Sequence, residues 1–131
     1  MVNEDKLLDL IIKYNCDKEL NNLKDILDYL QNNSLYLFTT IKISKRKLFQ
    51  IPKDDLLMIL DNLFIINDKR YFSVFSNQKN TNRQFKYCLS VSIFECLQLM
   101  KKMDDTNEII INPNLKNNFK LTRDIIQYLK G

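Results

Sequence analysis

Histidine and tryptophan are absent from the 131 residues, and glycine occurs once. Without histidine the chain lacks the side chain that most often serves as general base near neutral pH and most often ligates metals. Ser-His-Asp triads and His-based zinc sites are therefore excluded. A single glycine cannot build G-x-x-x-x-G-K-[ST] or G-x-G-x-x-G, so phosphate cradles of those two kinds are excluded as well, and no cofactor is expected. The three cysteines, Cys16, Cys88 and Cys96, match no metal or redox spacing. Their odd number argues against the even disulfide sets of small secreted scaffolds. No apolar run approaches the ~20 residues that cross a bilayer. The acidic start, Met1-Val2-Asn3-Glu4-Asp5, has no basic region ahead of an apolar core, so neither a signal peptide nor membrane association is expected. These features lead to an expectation of a cytoplasmic protein in a reducing compartment.

What is present suits one globular domain over residues 1–131. Hydrophobic residues make up 45% and charged residues 27% of the chain, an ordinary balance that argues against disorder. A domain of this length buries roughly two thirds of the surface its unfolded chain exposes and needs no staple. The net charge of +4 is too small for the concentrated field of a phosphate-backbone binder, which argues against nucleic acid as the main partner. Abundant Asn, Lys and Ile are read as nucleotide bias in an AT-rich coding sequence, so clusters of Asn or Lys carry little weight by themselves.

The first 33 residues read as two helices. Leu7, Leu10, Ile11 and Tyr14 share one face; a second helix, capped by Asp17, carries Leu20, Leu23, Leu27 and Leu30. From Ser34 the period changes to two. Leu35, Leu37, Thr39, Ile41 and Ile43 alternate with Tyr36, Phe38, Thr40 and Lys42, which predicts a strand. A basic, solvated turn, Ser44-Lys45-Arg46-Lys47, is expected to lead to an antiparallel partner at Leu48–Ile51, ended by Pro52. Helical turns follow in 53–62.

Leu63–Ile66 and Tyr71–Phe75 predict a β-hairpin. A polar loop, Ser76 to Gln84, precedes a strand at Tyr87–Val91. Ser92-Ile93-Phe94-Glu95 has the form of a capping box opening a helix to about Met103. Glu108–Ile111 reads as a strand buried on both faces, Phe119–Leu121 as another, and Thr122 as the cap of a last helix with Ile125, Ile126 and Leu129 inward. Asn112-Pro113 ends the buried strand: Pro113 cannot donate to a ladder and biases Asn112 toward extended geometry, while the Asn112 side chain can satisfy local backbone groups.

Few groups carry chemistry. Cys88 and Cys96 sit among apolar neighbours, where a thiol packs as a small hydrophobe. Asp54-Asp55 and Asp104-Asp105 lie at element ends, where helix dipoles or water account for them. Lys79, Arg83 and Lys86 alternate with Phe85 and Tyr87, an arrangement that could stack bases and track phosphates; core placement of the two rings is the competing reading.

The order of elements resembles the N-terminal domain of the SseB family, the enhanced-serine-sensitivity proteins. The resemblance spans about residues 20 to 129. It is carried by "YFSVFSN" (Tyr71 to Asn77), then a strand and capped helix, then "EIIINPN" (Glu108 to Asn114), then a short strand and helix. Val74, Phe75 and Ser76 match that family's Val-Phe-Thr-Ser motif with Ser76 in the Thr place, and Ile111, Asn112 and Pro113 match its Ile-Asn-Pro. It implies an α+β fold and residence in the bacterial cytoplasm, and it implies no reaction and no catalytic residues.

The expected architecture is α+β: a mainly antiparallel, mixed sheet of about five to six strands with helices packed on it, preceded by two N-terminal helices. The expected function is non-catalytic binding of a protein or peptide, with a homodimer left open. Strands that a sheet would hold rigid lead into Phe75, Ser76, Asn77, Lys79 and Arg83 on one side and Asn112 and Pro113 on the other, and these are the candidate binding residues. The alternatives are a weak single-stranded nucleic-acid binder through 79–87 and a carboxylate- or thiol-based enzyme.

Overall fold

A computed structural model describes residues 5–60, 63–78, 87–103 and 106–129. Helix α1 (Lys6–Cys16) begins where the Asp5 carboxylate accepts the Leu8 N–H at 3.0 Å, satisfying a first-turn donor that has no helical partner. Leu7 and Ile11 are buried, four residues apart on one face. Helix α2 (Leu20–Asn32) buries Ile26, Leu27 and Leu30. Asp17 does not cap α2. It closes α1, its N–H donating to the Lys13 carbonyl, and Asn22 reaches back from α2 to donate to the Asp17 carbonyl at 2.7 Å. Leu20, expected inward, is 68% exposed; it stands at the helix start, about 70° around the axis from the centre of the buried set.

Strand β1 (Leu35–Thr39) ends two residues before Ile41, which is 49% exposed. The basic turn and the strand expected after it are instead a helix. The Ser44 hydroxyl accepts the Lys47 N–H at 3.2 Å and caps α3 (Lys45–Gln50), which buries Leu48. Three apolar residues within the four of Leu48–Ile51 carry no period that separates helix from strand. Long-range polar contacts fix the outcome: Lys102 Nζ donates to the carbonyls of Phe49 and Ile51, two groups a strand would have turned to a ladder. Lys45, expected in water, donates to the Ser90 carbonyl at 3.0 Å and pairs with Glu95 at 3.1 Å. Helix α4 (Lys53–Ile59) follows, with Asp54 and Asp55 in its first turn, where the macrodipole favours negative charge.

The hairpin of β2 (Leu63–Ile66) and β3 (Lys69–Val74) turns at Asn67 and Asp68, with φ of 50° and 66°. Both lie in the left-handed region that a two-residue hairpin loop of the twisted sheet requires and that Asn and Asp tolerate. Strand β4 (Tyr87–Val91) leads to Ser92, whose capping box with Glu95 opens α5 (Ile93–Lys101). Strands β5 (Thr106–Ile111) and β6 (Phe119–Leu121) precede α6 (Arg123–Ile126), and a 3-10 turn, Gln127–Leu129, ends the described chain. Thr122 occupies the cap position of α6 without a side-chain bond.

The strands do not form the single sheet expected. Four lie in the order β2-β3-β5-β6, with β3 and β5 parallel, and β1 pairs with β4 in a separate two-stranded sheet. Strand β3 pairs with β2 through residues 69–72 and with β5 through residues 70–74, and β1 meets the chain only past the end of β3. There Tyr36 and Phe75 exchange backbone hydrogen bonds of 2.8 and 3.0 Å. The α+β character and the mainly antiparallel pairing stand; the sheet is divided.

Phe72, Val74, Ile109, Ile111, Phe119 and Leu121 share one face of the larger sheet and join α1, α2 and α5 in the main core. The opposite face carries Tyr71, Ser73, Glu108 and Ile110, all buried. Ile109, Ile110 and Ile111 are at most 1% exposed, so β5 is covered on both sides, as its unbroken apolar run indicates. Among the described residues no helix is long and apolar enough to cross a membrane.

Candidate functional site

The parallel pairing of β3 with β5 sets Val74 opposite Ile111, so the residues that leave these two strands leave side by side. Phe75, Ser76 and Asn77 therefore stand next to Asn112 and Pro113, and five of the seven expected site residues come together. Lys79 and Arg83 lie outside the described residues.

Asn112 organises the corner. Its N–H donates to the Val74 carbonyl at 2.9 Å, continuing the ladder one step, and its carbonyl accepts the Leu115 N–H at 3.0 Å. Its side chain spans to the other strand: Oδ1 accepts the Ser76 N–H at 3.0 Å and Nδ2 donates to Ser76 Oγ at 2.9 Å. The Ser76 hydroxyl donates in turn to Asp5 Oδ2 at 2.6 Å, while the other carboxylate oxygen of Asp5 holds the start of α1. A chain of hydrogen bonds thus joins residues 5, 76 and 112.

Two expectations for this corner are corrected. Asn112 is not extended; its φ is 57°. Its side chain serves no local turn, but a strand 36 residues away. The following proline disfavours the right-handed helical region for Asn112, and the two bonds to Ser76 select the left-handed one, which Asn adopts more readily than most residues. Asn112 is 0% exposed. Its amide is consumed in holding two strand ends together.

The neighbouring groups fit a structural tie. Burial, with Asp5 and Tyr36 behind it, pushes the Tyr29 phenol above its ordinary value. Phe75 is buried and meets Phe38 edge to face, ring centroids 5.0 Å apart. Burial also raises the thiols of Cys88 and of Cys96, which is 0% exposed, and a raised thiol yields less of the nucleophilic thiolate. Among the described residues no group of three or more Cys, Asp or Glu side chains could hold a metal ion.

Two concavities lie away from this corner. One, about 510 Å³, runs between the chain after β1 and helix α4; it is lined by Thr40, Ile41, Ile43, Ile51, Met58 and Ile59, with Asp55 the one charged residue among the described residues that line it. Met58 is 79% exposed. Thr40 fixes the walls, its N–H donating to the Ile59 carbonyl at 2.8 Å and its hydroxyl reaching the Met58 and Ile59 carbonyls at 3.2 and 3.1 Å. The sequence reading missed this groove, because Ile41 and Ile43 continued the alternation of β1 and were read as part of that strand, which ends at Thr39. The second concavity, about 390 Å³, lies between the end of α1 and β6; Tyr14, Lys18, Lys116, Phe119 and Lys120 are among the residues that line it, the Lys120 ammonium itself lying over the Tyr71 ring. Comparison with known proteins finds no matching family model, no matching curated protein and no matching solved structure.

Proposed function

We propose that the chain is a non-catalytic protein- or peptide-binding module, of the kind expected from its likeness to the SseB N-terminal domain, and that it works in the cytoplasm. The observation that carries this reading is the apolar groove beside α4. Met58 and Ile41, at 79% and 49% exposed, stand among Ile43, Ile51 and Ile59 with hydrogen-bonded walls. Isolated exposed apolar residues need no explanation, but five lining one concavity mark a surface that gains from being covered.

The groove suits an aliphatic side chain of a peptide, with a basic neighbour placed against Asp55. Full burial of one such side chain contributes roughly 1.5–3 kcal/mol, far short of the ~8 kcal/mol of micromolar binding, so affinity depends on flanking contacts as well.

Selection from a random peptide display library tests this reading. The expected consensus is an aliphatic residue flanked by Lys or Arg, with binding lost in Met58→Asp, a change at an exposed side chain that leaves the circular dichroism spectrum and melting temperature unaltered. Selected peptides that bind Met58→Asp as well as the native chain would remove the groove as the recognition site.

A further inference from the structure

We propose that Lys102 is a positioning residue for the groove beside α4: by holding the joint between α3 and α4 it sets the width of the groove, and with it the preference for an aliphatic side chain. The inference rests on the peptide-binding reading and adds to it a residue that does not itself line the groove. The joint is one residue wide. Ile51 closes α3 and Pro52 opens α4, and Ile51 lines the groove together with Asp55, Met58 and Ile59 of α4. The last carbonyls of a helix have no helical donor, and Pro52, directly after, has no N–H to offer. Lys102 supplies the donor. Its Nζ donates to the Phe49 carbonyl and, at 3.2 Å, to the Ile51 carbonyl, from fifty-one residues along the chain. It stands just past the last residue of α5, with its own N–H bonded to the carbonyls of Leu99 and Met100, so the ammonium is offered from a fixed base.

Helix α4 is thereby held at both ends. At its far end the Thr40 N–H donates to the Ile59 carbonyl at 2.8 Å and the Thr40 hydroxyl reaches the Met58 carbonyl at 3.2 Å. At its near end the tie runs through Ile51 to Lys102. Between the two, Leu56 is fully buried and seats the helix on the core. Cutting the Lys102 tie leaves Leu56 and Thr40 in place and frees the end that carries Ile51 and Asp55. The helix keeps its seat and gains room to pivot about it.

Width matters because contact energy falls steeply with distance. A gap of about 0.5–1 Å beside a seated side chain forfeits roughly a quarter to a half of its contact energy. With the native chain, replacing the aliphatic anchor of a bound peptide by alanine should weaken binding about 10- to 50-fold. With the joint released, that ratio should fall by about 2- to 7-fold.

The test titrates two peptides, the tightest from the display selection and its counterpart with alanine at the aliphatic position, against the native chain, Lys102→Met and Lys102→Arg by fluorescence anisotropy. Methionine keeps an unbranched apolar stem and removes the donor, whereas arginine keeps donors for both carbonyls. Lys102→Gln, which stops short of the carbonyls, gives the same comparison where Lys102→Met does not fold. Partial unfolding lowers the apparent affinity of both peptides by one factor and leaves their ratio alone, so the ratio reports the groove and not the stability of the fold. The expected result is a lowered ratio in Lys102→Met and its recovery in Lys102→Arg. Methyl spectra of the free Lys102→Met chain should show the signals of Ile51 and Met58 moved and those of Ile109 and Ile111 in place. A native ratio in Lys102→Met, or unmoved Ile51 and Met58 signals, would overturn this inference and leave the peptide-binding reading standing. A selection that yields no peptide sensitive to Met58→Asp would overturn that reading and this inference with it.

Discussion

Replacing Asn112 by alanine should unfold the protein far more readily than its single lost side chain suggests, and the structure gives the magnitude in parts. The Ser76 N–H and the Ser76 hydroxyl each lose a partner, at 3.0 and 2.9 Å. The hydroxyl keeps its bond to Asp5; losing one partner in a buried setting costs up to about 1–3 kcal/mol, and the half-buried position of Ser76 places the loss toward the low end because water can replace part of it. Alanine must also hold a φ of 57°, which costs an ordinary L-residue roughly 1–2 kcal/mol. The sum is about 2–4 kcal/mol, a large share of the 5–15 kcal/mol typical of a domain. Asn112→Gly separates the parts, since glycine loses the hydrogen bonds but adopts the left-handed region freely; it should be more stable than Asn112→Ala by about 1 kcal/mol. Urea denaturation followed by circular dichroism measures both, with the midpoint moving and the slope unchanged. A loss below about 0.5 kcal/mol in Asn112→Ala would show that the corner holds nothing together. Equal stabilities for the glycine and alanine variants would remove the backbone part of the argument.

Two smaller tests address single groups. Ser73 is 1% exposed and, among the described residues, its hydroxyl has no hydrogen-bond partner; Ser73→Ala should therefore leave stability unchanged or raise it by up to about 1 kcal/mol, and a loss of that size would mean the hydroxyl is bonded. Glu95 is subject to burial, which alone would raise its carboxyl, but bonds from Ser92 and Lys45 outweigh it and hold the group below its ordinary 4.5. A depressed folded-state value contributes stability that is present above 4.5 and lost as pH falls through the folded value. The stability difference between the native chain and Glu95→Gln should therefore shrink as pH drops below 4.5, and a difference that is constant with pH would refute the coupling.

Local pattern made most of the elements legible. The alternation from Leu35 marked β1, the polar Asn67-Asp68-Lys69-Arg70 between two apolar runs marked a hairpin, although Lys69 and Arg70 belong to β3 and not to its turn, Ser92 with Glu95 marked the start of α5, and the isoleucines of β5 marked a strand with both faces covered. Each of these signals lies within a few residues of its effect. The misreadings arose where a distant group decides: α3 owes its carbonyl partners to Lys102, some fifty residues on, and Asn112 owes its backbone conformation to Ser76, which no rule about the residue before proline contains.

The same division governs the sites. Sequence reasoning singled out Ser76 and Asn112 because each follows a strand, and the parallel register of β3 and β5 does bring them together. Once together, however, they spend their hydrogen-bonding capacity on each other and on Asp5. Among the described residues, unspent chemistry remains in the groove around Met58. In the sequence this is an apolar residue on a short helix. It gains meaning because the chain after β1 bonds to the end of α4. A residue that reads as special in the sequence is most readily explained by the fold that needs it; here the residues free to meet a partner are the ones whose spacing said least.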